Sequence, residues 1–406
     1  MILSLVASTF ILPAQAELTE QQQKIQQQIL SFAKQHLHDQ QPAVFVLSGD
    51  AGSGKSAVLS AVFSELQQQA HQSDAPLAGT KNYLLVNHNE MLKTYWEIAQ
   101  QQSFLHKKDF QKPTPFINRC EKLQQAADIV FVDEAQLLLS QADRFNHFLA
   151  DNQLDELLKW SKVLVLVLDF KQVVKLKSYW SEQMLRHHLA GYHVKFVHLK
   201  QQLRLKSPAV AAWLDQLIMG KLLPLPTVHD YELKIFPDGQ PLFNWIKQKD
   251  QQFGLSRLLA TTDFPFRVFS KEPWYVEAGT LKLPWDRFNY QDRPWASQPQ
   301  TLHEVGSIYT IQGFDLNYAG VILGPSISYD ESINQIVVDP NKFEDQTALQ
   351  KRHQADLTDL TAARSQLIKN VVNILLKRGR YGLGIYAVDP ALRHRLIELE
   401  TKKEIK

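Results

Sequence analysis

Gly49-Asp50-Ala51-Gly52-Ser53-Gly54-Lys55-Ser56 is the stretch that decides the fold. It fits G-x-x-x-x-G-K-[ST] at every fixed position. An apolar run at 43–47 precedes it and a helical pattern from Lys55 to about Gln69 follows it, which is the context such a loop needs. The glycines let the backbone curl until successive N–H groups face one anion, and the helix N-terminus adds partial positive charge. Lys55 would reach the β- and γ-phosphates, and the Ser56 hydroxyl would ligate Mg²⁺. The expected ligand is ATP with Mg²⁺, cradled by Gly49, Asp50, Ala51, Gly52, Ser53, Gly54, Lys55 and Ser56.

Working outward, residues 83–86, 129–132 and 163–168 are further continuous apolar runs separated by helical patterns. Strands of that kind belong to a parallel sheet covered on both faces. Glycine and proline thicken after Met219. A second series then follows, with strands expected at 257–261, 321–323 and 383–388 and a helix at 366–377. The boundary between the two series is placed near residue 205. The expected organisation is an N-terminal segment 1–40, a first α/β domain 41–205, a second 206–395 and a polar tail 396–406. The second domain carries an aromatic, Pro-rich insertion at about 264–300.

The run Ile129-Val130-Phe131-Val132 ends in Asp133-Glu134-Ala135-Gln136. Asp133 could hold Mg²⁺ through water, and Glu134 could act as general base on the attacking water. Alone, the pair could equally be acidic residues at a strand end. The phosphate-loop pattern upstream favours the catalytic reading.

Composition bounds the rest. The chain has 406 residues, 44% of them hydrophobic and 21% charged, so it can bury full cores without disulfide or metal staples. Its single cysteine, Cys120, excludes an intrachain disulfide framework and a cysteine-built zinc site. The histidines show no H-E-x-x-H spacing and His187-His188 reads as a helix surface, so no protein-bound zinc is expected. Lys plus Arg number 44 against 42 Asp plus Glu, a balance of +2. That excludes a polybasic tail protein but leaves room for a local basic groove. Residues 2–16 outline a secretory leader, yet the first cation is Lys24 and the apolar run is too short to span a bilayer. A buried strand is the preferred reading, with a cytoplasmic location and no membrane.

Other segments fall in the order of superfamily 1 helicase motifs. Leu18-Thr19-Glu20-Gln21-Gln22 looks like the Q motif, with Gln22 at the adenine-reading position. Leu168-Asp169-Phe170-Lys171-Gln172 is similar to motif III, where Gln172 would touch the γ-phosphate. Residues 199–204 keep the L-x-x-x-x-R spacing of motif IV, ending in Arg204. Tyr309-Thr310-Ile311-Gln312-Gly313-Phe314-Asp315 resembles motif V, and Ile374-Leu375-Leu376-Lys377-Arg378-Gly379 resembles motif VI. Leu203, Lys377 and Asp315 stand where these motifs usually carry an aromatic residue, a threonine and a glutamate.

More closely, the chain resembles the bacterial Schlafen group 3-like DNA/RNA helicase domain family over roughly 17–390. The carrying residues are Leu85-Val86-Asn87-His88-Asn89-Glu90-Met91, Val132-Asp133-Glu134-Ala135, Thr310-Ile311-Gln312-Gly313 and the stretch from Leu367-Ile368-Lys369-Asn370 to Arg378-Gly379. The resemblance implies two RecA-like P-loop NTPase domains with parallel central sheets and ATP in the interdomain cleft. It also implies work on single-stranded DNA or RNA. Gln312, Gly313 and Asp315 would then join the nucleotide site, and Arg204 and Arg378 would supply transition-state charge. Asn87, His88 and Asn89 fall where a helicase meets the nucleic-acid backbone; a loop cap is the equal alternative.

Trp274, Trp285, Tyr290 and Trp295 interleave with Lys271, Lys282, Arg287 and Arg293. They form either a strand-binding surface or, in the preferred reading, an aromatic mini-core. Two function classes remain: an ATP-driven helicase or translocase, and a nucleotide-dependent switch binding nucleic acid or protein without unwinding. Protein partners stay unknown. A P-loop kinase is disfavoured, because a one-domain kinase has no use for a second lobe or for Glu134, Gln172 and the late arginines.

Overall fold

Runs such as AVFVLSG at 43–49 carry apolar side chains at both odd and even positions, so a strand made of them must be covered on both faces. The computed structural model bears this out. It describes residues 18–50, 52–143, 148–178, 182–199, 205–266, 274–285, 294–311, 314–350 and 360–404. They fall into two compact units divided at 173/174, 176/177 and 202/203, the short piece Val174–Leu176 belonging to the second.

The first unit contains, in chain order, α1 (Glu20–His36), β1 (Ala43–Gly49), α2 (Lys55–Ala70), β2 (Asn82–Val86), α3 (Asn89–Ala99), β3 (Phe110–Gln111), α4 (Pro113–Leu123), β4 (Ala127–Asp133), α5 (Gln153–Lys159), β5 (Ser161–Leu168), α6 (Glu182–His188) and β6 (His193–Leu199). Its six strands pair in the order β3-β2-β4-β5-β1-β6, every pairing parallel. The period of two splits each strand between two cores. Phe45, Leu47, Ile129, Phe131, Val163 and Val165 pack on one face beneath α1, α2 and α3. Val44, Val46, Val130, Val132, Leu164 and Leu166 pack on the other, beneath α4, α5 and α6. Each such side chain contributes roughly 1.5–3 kcal/mol relative to exposure.

The second unit contains α7 (Pro208–Ile218), β7 (Glu232–Ile235), α8 (Gly239–Phe253), β8 (Ser256–Ala260), β9 (Tyr275–Ala278), β10 (Leu281–Pro284), β11 (Val305–Gly306), α9 (Ile308–Ile311), β12 (Leu316–Leu323), β13 (Ile327–Asp330), β14 (Gln335–Val338), α10 (Leu360–Leu376), β15 (Gly379–Ala387) and α11 (Pro390–Glu404). A second parallel sheet runs β11-β8-β12-β15-β7. Helix α8 lies so close to it that a Cβ on Gly320 would sit 2.8 Å from Ile246 and 3.1 Å from Leu242.

Strands β9 and β10 form an antiparallel hairpin within the aromatic, Pro-rich segment. Trp285 and Trp295 are buried, 2% and 1% exposed, and Trp285 joins the core with Leu242, Trp245 and Val276. Lys282 is exposed and pairs with Glu277 at 2.7 Å. These positions follow the mini-core reading; Lys271, Arg287, Tyr290 and Arg293 lie outside the described residues.

Candidate nucleotide-binding site

In open parallel sheets, ligands bind beyond the carboxyl ends of the strands, where the strand order reverses. The first sheet reverses at β1: the chain leaves it for β2 on one side and later returns to β6 on the other. Three candidate stretches therefore meet at the carboxyl ends of β1, β4 and β5. The Gly49–Ser56 loop follows β1, Asp133 and Glu134 end β4, and Asp169 to Gln172 follow β5.

Gly54 caps α2 in the left-handed region, φ 86°, a conformation that costs residues with a Cβ. Its carbonyl accepts from the Val58 N–H at 3.1 Å, the first bond of α2. Lys55 is 8% exposed, and its Nζ donates to the carbonyls of Gly49 at 2.7 Å and Asp50 at 3.0 Å. The Ser53 hydroxyl is buried and finds no hydrogen-bond partner among the described residues. An orphaned donor inside a curled loop, beside a buried lysine and a helix N-terminus, fits an anion such as a phosphate group. When bound, Mg²⁺-ATP would supply the phosphates for this cradle and the charge that Ser56 and Asp133 would meet.

Gln22 reaches this loop from α1. It completes a capping box with Thr19, and its Nε2 donates to Ser53 O at 3.3 Å. Lys171 pairs with Asp50 at 2.9 Å, joining the segment after β5 to the loop, with both side chains about half exposed.

Asp133 is 1% exposed. Burial pushes its carboxyl above the usual value; the Tyr95 hydroxyl, the Glu134 N–H, the Lys55 charge and the Ser56 hydroxyl pull it back. Ser56, Lys55 and Asp133 thus meet, as a metal and phosphate site requires. Glu134 stands in the left-handed region, φ 51°, and Gln136 Nε2 donates to its Oε2. Gln136 Oε1 accepts from the Asp169 N–H at 3.1 Å, and Gln172 Nε2 donates to Asp169 Oδ2 at 2.9 Å. One polar chain therefore runs Glu134–Gln136–Asp169–Gln172.

Tyr95 and Gln136 are the members that sequence reasoning left without a role. Tyr95 lies on the buried face of α3 with Met91, Leu92 and Ile98. The only sequence signal was that a tyrosine on such a face needs a partner for its hydroxyl.

Asn87 and His88 make hydrogen bonds inside the first unit. Asn87 Nδ2 donates to Leu137 O at 2.8 Å, and His88 caps α3 by accepting from Met91 N at 3.4 Å. Asn89 is exposed at the start of that helix.

In the second unit, Arg378 is 1% exposed; it donates to Phe314 O at 3.2 Å and lies 4.0 Å from Asp315 Oδ1. The motif V-like and motif VI-like segments thus meet before the amino ends of β12 and β15. Lys377 pairs with Asp215 of α7 at 2.6 Å. Ala51, Arg204, Gln312 and Gly313 lie outside the described residues.

Fold and site together define a helicase-like, nucleotide-binding α/β protein of two RecA-like units. The chain belongs to the Schlafen group 3, DNA/RNA helicase domain family, whose model matches residues 42–389. It is 38% identical over 418 aligned positions to "Uncharacterized protein YPL245W" of Saccharomyces cerevisiae, covering 95% of this chain and 91% of that one. Among solved structures it is similar to Pif1 helicase from Candida albicans (12% identity, 96% of this chain and 100% of that one, TM-score 0.38). It is also similar to Dbp5 of S. cerevisiae bound to Gle1 and IP6 (14% identity, 94% and 87%, TM-score 0.39). Among the described residues, no helix is long and apolar enough to cross a membrane.

Proposed function

We propose that this protein is an ATP-dependent DNA/RNA helicase or single-strand translocase of superfamily 1 type, acting in the cytoplasm. The observation that carries this reading is the meeting of Lys55, Ser56, Asp133, Glu134 and the Gln136–Asp169–Gln172 chain at the carboxyl ends of β1, β4 and β5. Lys55 and the loop N–H groups hold the phosphates, Ser56 and Asp133 hold Mg²⁺, and Glu134 takes the proton of the attacking water. Gln22 meets the adenine. Gln172 meets the γ-phosphate and couples it to the second unit, where Gln312, Gly313 and Asp315 contribute to nucleotide binding. Arg204 and Arg378 supply the positive charge that phosphoryl transfer needs. Single-stranded DNA or RNA is the partner, with Asn87, His88 and Asn89 at its backbone.

One observation favours a second reading, a nucleotide-dependent switch without unwinding. Asn87 and His88, both half-buried, already make internal bonds. Steady-state ATPase measured with and without single-stranded DNA and RNA, with Lys55→Ala as control, separates the two. Strong stimulation is expected of the motor, and strand displacement on tailed duplexes should accompany it. Hydrolysis indifferent to both nucleic acids would sink the motor in favour of the switch.

A further inference from the structure

The other end of α1 gathers a second cluster of ligand-type side chains. His36 Nδ1 lies 2.7 Å from Asp39 Oδ2, and His193 Nδ1 lies 3.2 Å from the same oxygen. One ligand atom from each residue falls within 4.8 Å of the other two. His36 ends α1, Asp39 lies in the turn before β1, and His193 opens β6. Asp39 and His193 are 154 residues apart in the chain. They meet because β6 pairs with β1 in a register that sets His193 beside Ala43. All three belong to the first unit. The expectation of no zinc rested on linear spacing, and linear spacing cannot register a triad closed by strand pairing.

We infer that His36, Asp39 and His193 form a binding site for a divalent transition-metal ion, Zn²⁺ being the ion their chemistry suits. Two imidazoles and one carboxylate make a borderline donor set. Mg²⁺ and Ca²⁺ prefer all-oxygen shells, whereas imidazole suits zinc. Three protein ligands and a water complete a four-coordinate zinc. At metal–ligand distances near 2.0–2.2 Å, the ligand atoms of a tetrahedron stand about 3.3 Å apart. Two edges of the present triangle, 2.7 and 3.2 Å, are already close to that figure.

The third edge closes by rotation of the exposed His193 side chain. His193 is 71% exposed, and its ring stands 5.4 Å from that of His36 at a 55° tilt. In the hydrogen-bonded arrangement each Nδ1–H donates to the carboxylate. With metal bound, each ring carries its proton on Nε2 and offers the Nδ1 lone pair. The ion would fasten the end of α1 to edge strand β6. The competing account of the same geometry is a carboxylate that clamps two histidines by hydrogen bonds alone.

The test uses the full-length chain without a histidine tag, as wild type, Asp39→Asn and His193→Asn. Zn²⁺ is titrated against a chromophoric chelator in excess Mg²⁺ and without nucleotide, so the phosphate loop does not contribute. Co²⁺ serves as an optical probe of the same site. One Zn²⁺ per chain is expected, weakened about tenfold or more by either substitution, as loss of a ligand requires. Co²⁺ should give the intense d–d absorption of four- or five-coordination in the wild type alone. Zn²⁺ should raise the unfolding temperature of the wild type and not of the variants, because a ligand of the native state stabilises it. Zn²⁺ uptake that both substitutions leave unchanged, or no uptake against the chelator, would overturn the inference. His193 is 71% exposed, so His193→Asn is expected to unfold like the wild type in metal-free buffer.

Discussion

The Tyr95 hydroxyl donates to Asp133 Oδ2 at 2.6 Å, joining α3 to the carboxylate that ends β4. Both groups are buried, 2% and 1% exposed. Burial, and then the Asp133 charge, pushes the phenol well above its usual value, so Tyr95 keeps its proton and remains the donor. The Tyr95 ring is stacked on Phe110 at 5.5 Å and 11°, which fixes the direction of the hydroxyl. Asp133 Oδ1 accepts from the Glu134 N–H at 2.9 Å. The carboxylate is therefore held at both oxygens.

Tyr95→Phe removes the hydroxyl and leaves the ring. A hydrogen bond to a charged acceptor is worth about 1.5–3 kcal/mol, and the first unit should unfold earlier by that amount. The hydroxyl also lowers the Asp133 carboxyl, so its loss moves that group further up and weakens its hold on a cation. Nucleotide binding should then need more Mg²⁺ while unassisted nucleotide binding stays the same. Thermal unfolding and an Mg²⁺ titration of nucleotide binding check this. Superimposable curves for wild type and variant would remove Tyr95 from the site.

Gln136 bridges the segments that follow β4 and β5, its Nε2 on Glu134 and its Oε1 on the Asp169 N–H, at 1% exposure. Gln136→Glu keeps the volume and turns the donor into an acceptor facing another carboxylate. Buried like charges cannot both ionise at low cost. The variant should lose roughly 1–3 kcal/mol of stability and most hydrolysis while keeping nucleotide binding. A variant as stable and active as the wild type would show that the Glu134 contact has no role.

What could be read from the sequence follows from how local each signal is. Strands β1, β4 and β5 are central, so both faces demand apolar side chains and the runs stand out. Strand β6, HVKFVHL, lies at the sheet edge with mostly exposed or partly covered positions, so no continuous apolar run marks it. Strand β3 has two residues and β7 four, too short for any period to show. The Gly49–Ser56 loop can be read from the sequence because eight consecutive residues carry its whole pattern. Tyr95, Gln136 and the His36–Asp39–His193 triad depend on partners fixed by strand order and helix packing, which no local pattern carries.

Asp263 supplies a pH dependence. Its carboxyl is buried after β8, and Thr261 Oγ1, Ser326 Oγ and Ser326 N all donate to Oδ2. Oδ1 has no partner among the described residues. Burial raises the group from 3.8 to about 6, the three donors offsetting only part of the cost. Between those values the folded chain holds the proton more tightly than the unfolded one. Stability from this group is therefore greatest below pH 3.8 and falls as pH rises through 6, by roughly 3 kcal/mol in all. Asp263→Asn keeps an acceptor for the three donors and removes the titration. It should match or exceed the wild type at pH 8 and lose that advantage toward pH 4.5. Denaturant unfolding at both values checks it, and parallel pH profiles would refute the assignment.

Arg378 and Lys377 are neighbours with opposite expected readouts. Lys377 is 5% exposed and paired with Asp215, which ties the end of α10 to α7. Lys377→Ala should lower the unfolding temperature and leave turnover per folded molecule unchanged. Arg378 sits among Phe314 O and Asp315, between the two segments that resemble motifs V and VI. If it supplies charge to the transferring phosphoryl group, its loss costs about 10³–10⁵ in rate. Arg378→Ala also empties a buried position, so lost turnover alone would not separate chemistry from folding. Arg378→Lys retains the charge and most of the volume but not the planar fork of donors. This variant should fold and bind ATP like the wild type yet hydrolyse it at least about a hundredfold more slowly. If turnover instead follows the unfolding temperature across Ala, Lys and wild type, Arg378 acts only through the stability of the second unit. If Arg378→Lys hydrolyses ATP at the wild-type rate, the arginine leaves the catalytic assignment altogether.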